Sequence, residues 1–346
     1  MSVAATDEAP REDRGAPAGF SEAITFAFGD PQQSLFGVAR IGLSGPPDAA
    51  RAASGLALLF ADGEPVAVRA DGGVPIEGSP AWEDVAAAGL RTTVDEPLRA
   101  WDVTFVDEDG ACGFTLSFAA RSQPAELAAD APAARAGGMA GYEQLCHVHG
   151  TVRVHGRETR VDCLGQRGRS WGAPDWDKIG VARTVSGWLG DDLGFTVTAI
   201  RSARATHHAD DALAAFLLAP VAPEPDTPGS AAAEPNDAHD PGAAVPAERD
   251  RAPQPGAAAP ADLLVEAVPV EDPRLSTTYD DEDRQRSAGV ELYVGTDDAA
   301  PHRAAGEVLC GTSLDLGRLH LDTAFFAWRM EGRTGIGRYD VLRRAA

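Results

Sequence analysis

Apolar and polar positions alternate along most of this chain, in short runs separated by glycine, aspartate and proline. Ile24, Phe26 and Phe28 alternate with small or polar residues, and the run 35–43 follows a turn at Pro31. A period of two is the mark of a half-buried strand, because successive side chains point to opposite faces. The segment 60–66 predicts a hairpin around Asp62-Gly63, and 103–118 another around Asp109-Gly110. Val152 and Val154 lead into a turn at His155-Gly156, from which the chain returns through Val161. The segment 188–195 is a further turn, with Phe195, Val197 and Ala199 on one face of the strand that follows. Later strands are expected at 264–270, 290–294, 308–310, 319–328 and 339–342. The helical candidates, 82–88 and 124–134, are short and alanine-rich. Many strands with closely spaced turns predict an all-β protein whose antiparallel sheets close into sandwiches or barrels.

Two stretches break the alternation. Residues 1–19 and 220–261 are rich in Ala, Pro and acidic residues, with few large apolar side chains to offset their ordering entropy. They read as a disordered tail and a disordered acidic insertion. The ordered remainder divides into an N-terminal β domain at 20–135 and a C-terminal one at 136–346 that the insertion interrupts. A formal charge of -23 argues against a nucleic-acid partner, whose phosphates demand a basic surface, and against anchoring on an anionic membrane. No apolar run reaches the ~20 residues of an integral membrane segment, and no apolar signal core precedes residue 20. A cytoplasmic location is the resulting expectation. Cys112, Cys146, Cys163 and Cys310 lack metal-site spacing and are too sparse for a disulfide framework, so they read as buried thiols. No glycine-rich nucleotide loop follows a strand, and no cofactor is implied.

Candidate chemistry concentrates in two places. On the strand beginning at Tyr142, the alternation puts Tyr142, Cys146, Val148, Val152 and Val154 on one face, and Glu143, Leu145, His147, His149, Thr151 and Arg153 on the other. The second face reads first as an ordinary solvated face. His147 and His149, with Glu143, are a metal-ligand alternative, and a single titrating histidine inside a barrel is another. The corner 165–176 is denser, with Arg167, Arg169, Trp171, Asp175 and Trp176 among three glycines. Its tryptophans either plug a barrel end, with an arginine paired to Asp175, or present indole faces to a flat apolar ligand. Gly168-Arg169-Ser170-Trp171-Gly172 has the letters of a nucleophile elbow, but nothing after it reads as the helix that elbow needs. His207-His208 and Asp210-Asp211 read as a solvated loop.

Tyr142-Glu143-Gln144, Gly150 with its Val-x-Val hairpin, Gly165-x-Arg167-x-x-Ser170-Trp171-Gly172 and Asp175-Trp176 together resemble the carotenoid 1,2-hydratase (hydroxyneurosporene synthase) group and its lipocalin-like relatives. Pro97-Leu98 with Trp101 resembles the first half of the same proteins. The resemblance implies two consecutive lipocalin-like antiparallel β-barrels or half-barrels, with an apolar cavity in or between them. Where those relatives carry Asp then His, this chain has Gly168 and Arg169. Hydration or cyclisation of an alkene needs a Brønsted acid, and arginine is too basic to serve. A substitute acid would be Asp175, Asp177, Glu143 or His147. The ligand contacts expected are Trp171, Trp176, Arg167, Arg169 and Tyr142. Three readings follow: binding of an apolar isoprenoid or lipid-like molecule, an active isoprenoid hydratase or cyclase with a relocated acid, or a structural protein with filled barrels.

Overall fold

The computed structural model describes residues 3–12, 16–17, 19–46, 50–76, 78, 80–205, 207, 210–220, 265–295 and 300–345. The expected acidic insertion lies outside them except for Pro220, as does His208. The described chain is nearly all β, arranged as two antiparallel sheets, one of them a curled half-barrel.

The first sheet comprises β1 (Ser21–Asp30), β2 (Leu35–Ser44), β3 (Arg51–Ala61), β4 (Glu64–Ile76), β5 (Leu90–Glu96), β6 (Ala100–Val106), β7 (Gly113–Ala120), the short β8 (Ala125–Leu127), β9 (Met139–Val154) and β10 (Arg157–Gly172). Their order is β4-β3-β2-β1-β10-β9-β7-β6-β5, with β8 beside β9. The second sheet holds β11 (Ile179–Trp188), β12 (Gly194–Ser202), β13 (Ala212–Pro220), β14 (Val265–Pro269), β15 (Arg274–Tyr279), β16 (Gln285–Leu292), β17 (His302–Leu316), β18 (Leu319–Met330) and β19 (Arg333–Arg344), in the order β14-β13-β12-β11-β19-β18-β17-β16-β15. The two orders are the same once β8 is set aside. In each sheet four strands meander outward, five return, and the last strand pairs with the first.

The turns form where the sequence supplies residues that tolerate positive φ. Asp62 and Gly63 sit at φ 52° and 86°, and His155 and Gly156 at 49° and 79°, the left-handed pair of a two-residue hairpin. The inner face of the first sheet is lined by Ile24, Phe26, Phe28, Leu59, Trp101, Phe105, Phe114, Phe118 and Val148, all buried. β5 closes the curl by packing against β2 and β3. Phe195, Phe326, Trp328 and Tyr339 fill the second sheet in the same way. Between the sheets, Phe36, Val38, Leu58, Phe60 and Leu145 of the first meet Trp188, Leu218, Phe325 and Ile336 of the second.

Three sequence expectations change. The passage between sheets comes at 173–178, not at 135/136, because β9 pairs with β7 and β10 pairs with β1, which keeps both in the first sheet. Residues 3–12 of the expected disordered tail are placed: Ala5–Glu8 forms a 3-10 turn whose Glu8 side chain is buried against the first sheet. Of the helical candidates, 82–88 contains only the 3-10 turn Trp82–Asp84, and 124–134 is split between β8 and the start of α1 (Pro132–Gly137).

Candidate functional site

Strand register decides which corner residues meet. Cross-strand partners share a face, and β1 sets Glu22, Ile24, Phe26 and Phe28 opposite Trp171, Arg169, Arg167 and Gly165 of β10. β10 in turn sets Trp171, Arg169 and Arg167 opposite Ala140, Tyr142 and Gln144 of β9. Arg167, Arg169, Tyr142 and Trp171 therefore project into the first half-barrel, continuous with its apolar core. Two arginines inside such a core demand counter-charges. Glu8, carried in by the segment 3–12, pairs with Arg167, while Glu22 pairs with both Arg169 and Arg51. Arg167, Arg169, Glu22 and Glu8 are each at most 4% exposed.

Aromatic rings complete this cage. The Arg167 guanidinium lies 4.8 Å from the ring centres of both Trp101 and Tyr142, and that of Arg169 lies 5.0 Å from Trp82 and 5.5 Å from Trp171. The Arg11 guanidinium also lies over the Trp171 ring, 4.0 Å from its centre. The segment 3–12 is tied down by side chains and not by strand pairing: Trp82 Nε1 donates to the Glu8 carbonyl at 2.8 Å, Arg169 Nη2 to the Ala9 carbonyl at 3.1 Å, and the Arg11 amide to Glu22 Oε2 at 3.0 Å. The Leu98 amide donates to Glu8 Oε2 at 3.1 Å from a backbone held at φ 63°, an unfavourable conformation for leucine. Burial lowers the Arg169 pKa, partly restored by Glu22, and raises that of the Tyr142 phenol. Beside the cage, at the ends of β1 to β4, is an open hollow of about 490 Å³. Phe20, Ser21, Ala50, Arg51, Ala52 and Pro75 are among the residues that line it. Ser21 lies across from Gly172, so the hollow and Trp171 share one end of the sheet.

The other face of the same strands meets the second sheet. Arg40, Thr25, Gly168 and Glu143 form one cross-strand row over β2, β1, β10 and β9. Glu143 accepts a hydrogen bond from the Thr196 hydroxyl on β12, beside a cavity of about 10 Å³ lined by Gln166, Trp188 and Phe195. Burial raises the Glu143 pKa above the ordinary carboxylate value; its bond to Thr196 and the nearby Arg338 oppose the shift. A Cβ at Gly168 would stand 3.8 Å from Glu143 Oε1, in ordinary contact, so the position is open to a side chain. Glu143 thus borders the place where the resembled motif carries its aspartate.

The expected site residues do not form one constellation. Tyr142 and Glu143 are consecutive, so they face opposite sides of the sheet, and the cage and the inter-sheet groove are separated by its backbone. Glu143 and Leu145 face the second sheet and not solvent. His147, 39% exposed, bonds Asp162 at 2.7 Å and stacks on His149. Among the described residues no three His, Cys, Asp or Glu side chains converge on a metal position. Asp175 is exposed and bonds Lys178 at 2.8 Å, which holds its pKa below the usual carboxylate range, the wrong direction for a proton donor at neutral pH. It does not pair with Arg167 or Arg169. Trp176 packs in a separate small cluster with Ala133, Ile179 and Ile200. Ser170 lies within β10, so the elbow letters have no elbow. Sequence reading missed Glu8, Glu22, Arg51, Trp82 and Thr196. Glu22 did carry a signal, since it continues the apolar face of Ile24, Phe26 and Phe28. Glu8 carried none.

Two antiparallel sheets, one of them curled into a half-barrel with a side-chain-filled interior, define a protein of the lipocalin-like class. The chain belongs to the family described as a domain of unknown function, DUF7064, which matches residues 4–210 and so takes in the Glu8 segment, the whole first sheet and β11 and β12. No curated protein matches it in sequence. Its fold is similar to that of a protein assigned as AttH from Nitrosomonas europaea (TM-score 0.59, 11% identity, 94% of this chain and 92% of that one). It is also similar to kievitone hydratase from Nectria haematococca (TM-score 0.58, 9% identity, 99% and 93%) and to CghA solved with Sch210972 (TM-score 0.54, 12% identity, 94% and 89%). At these identities the likeness is one of fold.

Proposed function

We propose that the protein binds an apolar small molecule of isoprenoid or lipid type at the mouth of the first half-barrel. The observation that carries this reading is the hollow of about 490 Å³ at the end of the sheet that also holds Trp171, within the size range of small-molecule sites and lined largely by apolar groups. In this reading Trp171, at the same end of the sheet, supplies the aromatic contact, with Tyr142 and Arg169 packed against its ring. Similar folds in kievitone hydratase and in CghA with Sch210972 agree with a scaffold that handles small organic molecules. Titration with retinoid, carotenoid and terpenoid probes, followed by tryptophan quenching, tests it. Ala50→Trp, which fills the hollow, is expected to weaken binding at least tenfold at unchanged thermal stability. Equal binding by both proteins would reject the hollow as the site.

A second reading, acid catalysis, is favoured by Glu143 alone. Its proton-holding environment borders Gly168, where the carotenoid 1,2-hydratase motif has its acid. In that reading the protonated carboxyl gives its proton to an alkene carbon, and the resulting cation is captured by water, which loses a proton back to the carboxylate, or by a second alkene in ring closure, after which the new cation loses a proton from a neighbouring carbon to the carboxylate. Incubation with the same carotenoids and terpenoids, read by mass spectrometry, is expected to show water addition or an isomeric product that Glu143→Gln abolishes. Unchanged substrates throughout would leave binding as the function.

A further inference from the structure

Three guanidiniums, Arg51, Arg167 and Arg169, share the buried cage with two carboxylates, Glu8 and Glu22. The excess is cationic in a chain whose formal charge is -23. Glu22 is built into β1 and clamped by two arginines. Glu8 is different, because the segment that carries it makes no strand ladder. Its carboxylate nonetheless sits in a prepared receptor: Arg167 pairs with one oxygen, the Leu98 amide donates to the other at 3.1 Å, and the Tyr142 hydroxyl approaches it at 3.5 Å. Arg167 has no exposed side-chain surface, and its Nε and Nη1 have no hydrogen-bond partner. The flanking Trp101 and Tyr142 rings leave the guanidinium edge as the polar floor of an aromatic-walled slot. Every donor that holds Glu8 Oε1 and Oε2 belongs to the half-barrel, and none to the segment itself.

We propose that this slot is a binding site for an organic carboxylate with an apolar body, which Glu8 occupies as a built-in stand-in, and that such an acid takes the slot when the segment Ala5–Glu8 withdraws. The acid's carboxylate replaces that of Glu8 on Arg167 and the Leu98 amide, and its body takes the volume of the withdrawn turn between Trp82, Trp101 and Tyr142. The chemistry is that of charge-assisted hydrogen bonds to a guanidinium out of water, where leaving the cation unpaired is costly and an amide or ester is a poor substitute. This inference is independent of the neutral ligand proposed for the hollow.

The test compares the full-length protein with Glu8→Ala and Glu8→Gln, using phenylacetate and its uncharged isostere phenylacetamide as probes, by thermal shift and calorimetry. Glu8→Ala is expected to melt lower than the parent, to regain stability with phenylacetate but not with phenylacetamide, and to bind the acid at least tenfold more tightly than the parent does. Adding Arg167→Met to Glu8→Ala should remove that preference. If Glu8→Ala does not fold alone, the comparison is made on Glu8→Gln, which keeps the shape and lacks the charge; it too should bind the acid at least tenfold more tightly than the parent, and the amide no better. Equal responses to acid and amide, or acid binding that survives loss of Arg167, would overturn the proposal. Failure of neutral probes to bind the parent bears only on the hollow.

Discussion

Consecutive residues on one strand carry opposite chemistry here. Tyr142 enters a cage of arginines and tryptophans, and Glu143 enters the groove between the sheets. Burial raises the Glu143 pKa, so the folded protein holds this proton more tightly than the unfolded chain does. The associated stability is present below the unfolded carboxylate pKa and is lost as pH rises through the folded one. Glu143→Gln is therefore expected to flatten the fall in melting temperature over that interval and to match or exceed the parent at pH 8, as measured by calorimetry across pH. A parallel pH profile would show that folding leaves the Glu143 pKa where it is in the unfolded chain. The glycines of the corner differ just as sharply. A Cβ at Gly168 meets nothing closer than 3.7 Å, whereas one at Gly165 would fall on the Ala27 carbonyl oxygen and 2.6 Å from Val148 Cγ2. Gly168→Ala should be nearly neutral and Gly165→Ala should cost about 1–3 kcal/mol through overpacking, read from urea denaturation. The reverse order would contradict the register of β1, β9 and β10.

Elements differ in how they are held. β9 and β10 pair along their full length, while the segment 3–12 is retained by a few side-chain bonds and a buried carboxylate. Opening that segment breaks few bonds at once, so local release lies far below global unfolding. Hydrogen exchange followed by mass spectrometry is expected to show the Asp7 and Arg11 amides exchanging well before those of β10, although both are bonded in the structure. Matching protection would mean that the segment unfolds only with the sheet. The strands and their turns were legible in the sequence because alternation and Asp-Gly or His-Gly pairs act over a few residues. Glu8 was not legible, since nothing in Ala-Thr-Asp-Glu-Ala-Pro announces that a buried arginine 159 residues away requires a partner.

Taken whole, the molecule repeats one strand order and joins the copies through an apolar seam. Phe325 of β18 is central to it, with ring centres 5.3 Å from Phe36, 6.0 Å from Phe60 and 6.4 Å from Trp188. Phe325→Ala should cost about 3–5 kcal/mol. Far-ultraviolet and near-ultraviolet dichroism should still report one shared urea transition in the parent, and separate midpoints would mean that the sheets fold independently. The sequence alone determined the all-β class, the hairpins, the two-faced character of the Tyr142 strand and the resemblance carried by the 165–176 corner, because each depends on residues near one another in the chain. Only the tertiary structure decided that the corner arginines turn inward, that Glu8 and Glu22 neutralise them, and that Glu143 lies between sheets and not in solvent. Those outcomes depend on which distant strand covers each face, and a covered polar face has the same local pattern as an exposed one.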